Sequence, residues 1–165
     1  MKSFKRHILL AAGLMAVSLS GFAEEDSAVT PVVVDELVPP YLEVQSSLAD
    51  DNPAAARGEV EAFLSALDAA PQAESLDQLR DAAESLASSE DEKAARAAFL
   101  DISKGMIELV RTTGTSGEAS LYVAHCPMAF SGEGASWLQG DTNVLNPYYG
   151  ASMLRCGGIQ EKIGG

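Results

Sequence analysis

Residues 91–111 read DEKAARAAFLDISKGMIELVR. Within them Ala95, Ala98, Phe99, Ile102, Met106, Leu109 and Val110 recur at spacings of three and four. That is the period of a helix with one apolar face, sustained for more than four turns. Gly114 suits a helix stop. Working back toward the N-terminus, three more segments carry the same period. Leu76, Leu79, Ala83 and Leu86 mark a helix over about 76–87. Val60, Phe63, Leu64 and Leu67 mark another, opened by Asp51-Asn52-Pro53 and ended at Ala70-Pro71. Asparagine followed by proline suits a cap and first helical residue. Tyr41, Val44, Gln45 and Leu48 mark a first helix over about 34–49. Pro39-Pro40 is expected at its start or at a break, because proline lacks a donor and clashes inside a helix.

The joints between these segments are short, so neighbours are expected to be antiparallel. The economical arrangement is a mainly all-α fold, an up-down four-helix bundle. The stripes are aliphatic and alanine-rich, which is core composition. No Glu-x-x-His pair supports a di-iron site in the bundle, and there is no nucleotide-binding loop and no Gly-x-Ser-x-Gly elbow.

Composition changes after Gly114. Tyr122, Phe130, Trp137, Tyr148 and Tyr149 crowd a glycine-rich tail that reads as a small irregular unit. A short hairpin is expected there, with strands near 120–123 and 136–138 joined through Ser131-Gly132-Glu133-Gly134.

At the other end, Lys2, Lys5 and Arg6 precede an apolar run from Ile8 to about Leu19, with Gly21 and Ala23 before Glu24. This pattern predicts a cleavable signal peptide over 1–23, export to the periplasm of a Gram-negative cell, and a flexible leader over 24–32. The run is short for a membrane span of about 20 residues, so no stable membrane insertion is expected. Loss of Lys2, Lys5 and Arg6 takes the net charge from −13 to −16. So acidic a surface excludes nucleic acid and anionic lipid as natural partners. The remaining 142 of 165 residues suffice for one domain, read here as 33–160.

The chemistry is concentrated in the tail, over 119–158. His125-Cys126-Pro127-Met128 and Met153-Leu154-Arg155-Cys156 hold both cysteines, the histidine that outlasts cleavage, and two methionines. In an extended segment Cys126 and Met128 share a face. Asn146-Pro147 suggests a short helical turn, on which Met153 and Cys156 would also share one. Convergence of the two stretches gives two thiolates, two thioethers and optionally the His125 imidazole. Such soft donors select copper(I), or silver(I), over hard cations. Zinc would use the thiolates and imidazole, with thioether a poor ligand. The alternative is a Cys126–Cys156 disulfide, worth about 3–4 kcal/mol for a loop of this length in the chain-entropy model. An enzyme is not expected, since Cys126 and His125 are adjacent and point apart in a strand.

These residues resemble a known family. The stretches His125-Cys126-Pro127-Met128-Ala129, Trp137, Asn146-Pro147-Tyr148-Tyr149-Gly150 and Met153-x-x-Cys156-Gly157 look like the signature of domain of unknown function 3347. The opening helix, with Tyr41-Leu42 and Leu48-Ala49-Asp50-Asp51, is similar too. Members occur alone as secreted proteins and attached to periplasmic adaptors of copper and silver efflux pumps. The resemblance implies a part in heavy-metal handling or efflux, with an efflux adaptor or another periplasmic metal carrier as partner. Without the metal, the chain reads as a non-enzymatic interaction module stapled by its disulfide.

Overall fold

A computed structural model describes residues 29–117 and 120–164. The expected signal peptide and residues 24–28 of the leader lie outside them. Four long helices come first: α1 Pro31–Ala49, α2 Pro53–Ala69, α3 Glu74–Ala87 and α4 Glu92–Thr113. Three strands follow: β1 Leu121–Cys126, β2 Ala135–Gln139 and β3 Gly158–Gly164. The fold is mainly helical with a small antiparallel sheet at its C-terminal end.

The helices form where the apolar period placed them. Asn52 caps α2 by accepting from the Ala55 amide at 3.0 Å, and Pro53 occupies the first turn. Asp91 caps α4 in the same way, from Ala94 at 2.7 Å. Such caps supply acceptors that the helix start otherwise lacks. Gly114 ends α4 with φ +81°, a backbone region open to glycine. The stripes are buried nearly as read, although Leu64 and Ala98 are only half-buried at their edges. Each helix packs on its successor in the chain, and α1 also packs on α4.

One expectation is corrected. Helix α1 begins at Pro31 and runs through Pro39 and Pro40. Pro31 and Val32, assigned to the leader, are its first turn. A helix-interior proline costs about 3 kcal/mol. Burial offsets that cost. Val34, Leu37, Val38 and Tyr41 are buried around the pair, and each buried side chain of this size is worth about 1.5–3 kcal/mol. Pro39 itself is exposed, as is Glu36, whose carbonyl loses its helical donor to Pro40 and lies on the solvent side.

The expected hairpin is present and longer than read. β1 pairs antiparallel with β2, from Tyr122 opposite Gln139 to Cys126 opposite Ala135. The third strand was not expected. β3 pairs antiparallel with the other edge of β1, giving the order β2-β1-β3. Its ladder has irregularities between Leu121 and Tyr122 and between Val123 and Ala124. The sheet lies against α4, chiefly through β2. One hydrophobic core runs from Val34 to Tyr148 and includes Cys126 and Trp137.

Candidate functional site

The site is built on β1 and on the chain leading into β3. The β1–β3 ladder ends with His125 opposite Gly158. One step further, antiparallel pairing brings the end of β1 beside residues 156–157. That step requires Gly157. Its φ is +123°, and a Cβ there would stand 2.6 Å from the His125 carbonyl oxygen. Sequence positions thirty apart are thereby made neighbours.

Both cysteines are free thiols. Cys126 is fully buried, and Cys156 is half-buried. They are neighbours: the nearby Cys126 thiol is the largest influence on Cys156 and pushes its pKa up. Burial adds to the rise, and the nearby Met128 backbone opposes it. The structure brings Cys126 and Cys156 together, which the metal and the disulfide readings both require.

The other three candidates are arranged differently. Met128 and Cys126 do not share a face: Cys126 is 0 % exposed and Met128 is 54 % exposed. The reason is that β1 ends at Cys126. Pro127 and Met128 form a turn, and Met128 has helical φ −91°, ψ −13°. Strand alternation therefore stops one residue too early. Met128 presents its side chain to solvent, and its backbone lies near enough to Cys156 to favour the thiolate. Met153 and Cys156 do not lie on a helix. The helical turn after Asn146-Pro147 is a single 3₁₀ turn, Gly150–Ser152. Met153 leaves it at φ −149°, and its carbonyl accepts from the Cys156 amide at 2.9 Å, closing a tight turn. Met153 is half-buried.

His125 points away from the thiols. Neighbours in a strand face opposite sides of the sheet. Its Nδ1 lies 3.0 Å from the Ser136 hydroxyl, the cross-strand partner. Its ring covers Gly134, where a Cβ would meet the ring at 2.8 Å. Among the described residues, no three His, Cys, Asp or Glu side chains form a metal-holding group. Any metal at this place would rest on the thiol pair and on thioethers.

The tail is held to the helices by side chains that reach its backbone. The Tyr41 hydroxyl accepts from the Leu138 amide at 3.0 Å and pairs with Ser103 at 2.8 Å. Burial holds its pKa far above the ordinary tyrosine value. Gln45 donates to the Leu145 carbonyl at 2.7 Å. Arg96 donates to the Tyr148 carbonyl and pairs with Asp51 at 2.6 Å and Glu92 at 2.7 Å. Asp51 in turn accepts from the Ala151 amide at 2.9 Å. That amide, with Arg96, lowers the Asp51 pKa against a raising contribution from burial. Asn146 closes the loop from within by donating to the Cys156 carbonyl at 2.8 Å. Sequence reading missed Asp51 and Arg96 because a charge on a helix end is ordinarily a solvated one.

The connection from β1 to β2 is unusual. Phe130, Ser131 and Gly132 all have positive φ: 51°, 63° and 93°. Left-handed backbone costs a non-glycine residue roughly 1–2 kcal/mol. The Met128 carbonyl anchors this turn, accepting from the Gly132 amide at 3.3 Å and the Tyr149 hydroxyl at 2.7 Å.

A mainly helical domain bearing a paired-thiol sheet is the class that these features define. The model of the family described as "Protein of unknown function (DUF3347)" matches residues 37–118, and the chain belongs to that family. The matched stretch runs from within α1 through α4 and ends before β1, so both thiols lie outside it. No curated protein and no solved structure matches the sequence.

Proposed function

We propose that the protein binds a soft monovalent metal ion, copper(I) or silver(I), with Cys126 and Cys156 as a dithiolate core. The observation that carries this reading is the adjacency of two free thiols, one fully buried and one reaching toward solvent. Thiolate chemistry selects such ions, and two-sulfur coordination needs no third thiolate or imidazole. Met128, exposed beside the pair, and Met153, one tight turn from Cys156, are the thioethers within the same loop system. His125 is outside this ligand set, being engaged with Ser136 on the opposite face. Metal binding displaces the thiol protons, so affinity rises with pH until the Cys156 thiol ionises unaided. The biological role is metal handling or efflux in the periplasm, by ligand exchange with an efflux adaptor or another carrier. In this reading the helices form an up-down four-helix bundle, supported by the packing of consecutive helices and of α1 on α4. The bundle acts as a scaffold, without enzymatic activity.

The same adjacency favours a second reading, a Cys126–Cys156 disulfide that staples the tail. A copper(I) competition titration on the reduced protein against a chromogenic chelator separates the two. The metal reading predicts stoichiometric binding in the nanomolar range or tighter, weakened at least tenfold by Cys126→Ser and more modestly by Met153→Leu. Absence of competition, together with full loss of free thiols in air, leaves the stapled module.

A further inference from the structure

A cleft of about 450 Å³ opens beside the first turn of α4, and neither cysteine lines it. Its volume is in the range of small-molecule sites. One wall is aromatic, made by Phe130, Tyr148 and Tyr149. Phe130 meets Tyr148 edge-on at 5.3 Å between ring centres. The other wall carries Lys93 and Arg96. Lys93 is exposed and makes no salt bridge among the described residues, in a chain where acids outnumber bases 24 to 11. Glu92 also lines the cleft, and its carboxylate is turned to Arg96 at 2.7 Å, which it shares with Asp51. Arg96 keeps a buried Nε–H with no acceptor among the described residues. The amide end of α4 adds partial positive charge at the same wall.

The aromatic wall is held in place against backbone preference. Phe130 and Ser131 are consecutive non-glycine residues with left-handed backbone, and both line the cleft. A bulky residue in that region is an outlier that the surroundings must enforce. The Tyr149 hydroxyl enforces it by bonding to the Met128 carbonyl. A strained segment that sets an aromatic ring opposite an unpaired cation is built like a binding wall.

We propose that this cleft is a binding site for a small aromatic carboxylate, its ring among Phe130, Tyr148 and Tyr149 and its carboxylate beside Lys93 at the start of α4. The assignment is independent of the metal reading. Ring contacts supply affinity through apolar burial, and the cation supplies discrimination for the acid.

The test is a titration of the ¹⁵N-labelled protein with indole-3-acetate and with its neutral amide, indole-3-acetamide. Indole-3-acetate is expected to shift the amides of residues 92–96, 130–131 and 148–149, and the neutral amide to bind at least fivefold more weakly. Lys93→Glu, a change at an exposed residue, removes the difference between the two probes. Phe130→Gly, which suits the left-handed backbone, abolishes the shifts caused by both. Equal affinity for the two probes, shifts confined to other residues, or no shifts at all would overturn the proposal. Should Phe130→Gly fail to fold, the Lys93→Glu comparison decides alone.

Discussion

The helical half and the sheet half of this protein are stabilised by different means. In the helices, repeated aliphatic and alanine side chains bury one face each. In the sheet half, position depends on a few side chains from the helices that grip backbone atoms: Tyr41 on Leu138, Gln45 on Leu145, Arg96 on Tyr148 and Asp51 on Ala151. The difference teaches where precision is kept. Bulk burial makes the scaffold, and a small number of directional bonds set the strand ends that bring Cys126 to Cys156.

The comparison breaks most readily at the residue that serves both halves. Phe99 stacks on Tyr41 at 5.3 Å and meets Tyr148 at 6.1 Å. Phe99→Ala is expected to destabilise by about 3–5 kcal/mol. Chemical denaturation followed by far-ultraviolet dichroism and by Trp137 fluorescence would show one shared transition. Separate transitions would mean that the halves unfold independently.

Removing one directional bond should cost less and fall on the sheet half. Tyr41→Phe leaves the buried Leu138 amide and the Ser103 hydroxyl without their partner, at about 1–3 kcal/mol. Amide exchange should quicken in β2 more than in α2. Uniform quickening would contradict the division drawn here.

The acid limb of stability gives a smaller effect. Asp51 has a folded pKa below its unfolded value. Its contribution is therefore present above the ordinary carboxylate range and is lost as pH falls through the folded value. Asp51 is partly solvent-exposed, so the effect is modest. Asp51→Asn should lower stability modestly at pH 7 and flatten the profile below about pH 4, where variant and parent converge. The smallest effect belongs to Ser131→Gly, expected to gain about 0.5–1 kcal/mol by relieving left-handed strain.

Legibility in the sequence follows the same division. The helices were readable because their signal is local: a period of 3.6 residues, a cap at Asn52 and a stop at Gly114. The proline pair misled because tertiary burial around Val34 to Tyr41 outweighs local propensity. The β1–β2 hairpin was readable from nearby glycines. β3 was not, since Gly158–Gly164 alternates weakly and its pairing partner lies more than thirty residues away. The site divides likewise. Soft donors gathered in two short stretches pointed to Cys126 and Cys156. The orientations of Met128, Met153 and His125 depend on where β1 ends and on the turns that follow, which spacing alone does not encode.

X-ray absorption at the copper edge, on the protein loaded with copper(I) under reducing conditions, tests the central claim most directly. The account predicts a first shell of sulfur alone, two or three atoms, that is lost in Cys156→Ser. A shell containing an imidazole nitrogen, or copper that survives that substitution, would contradict it.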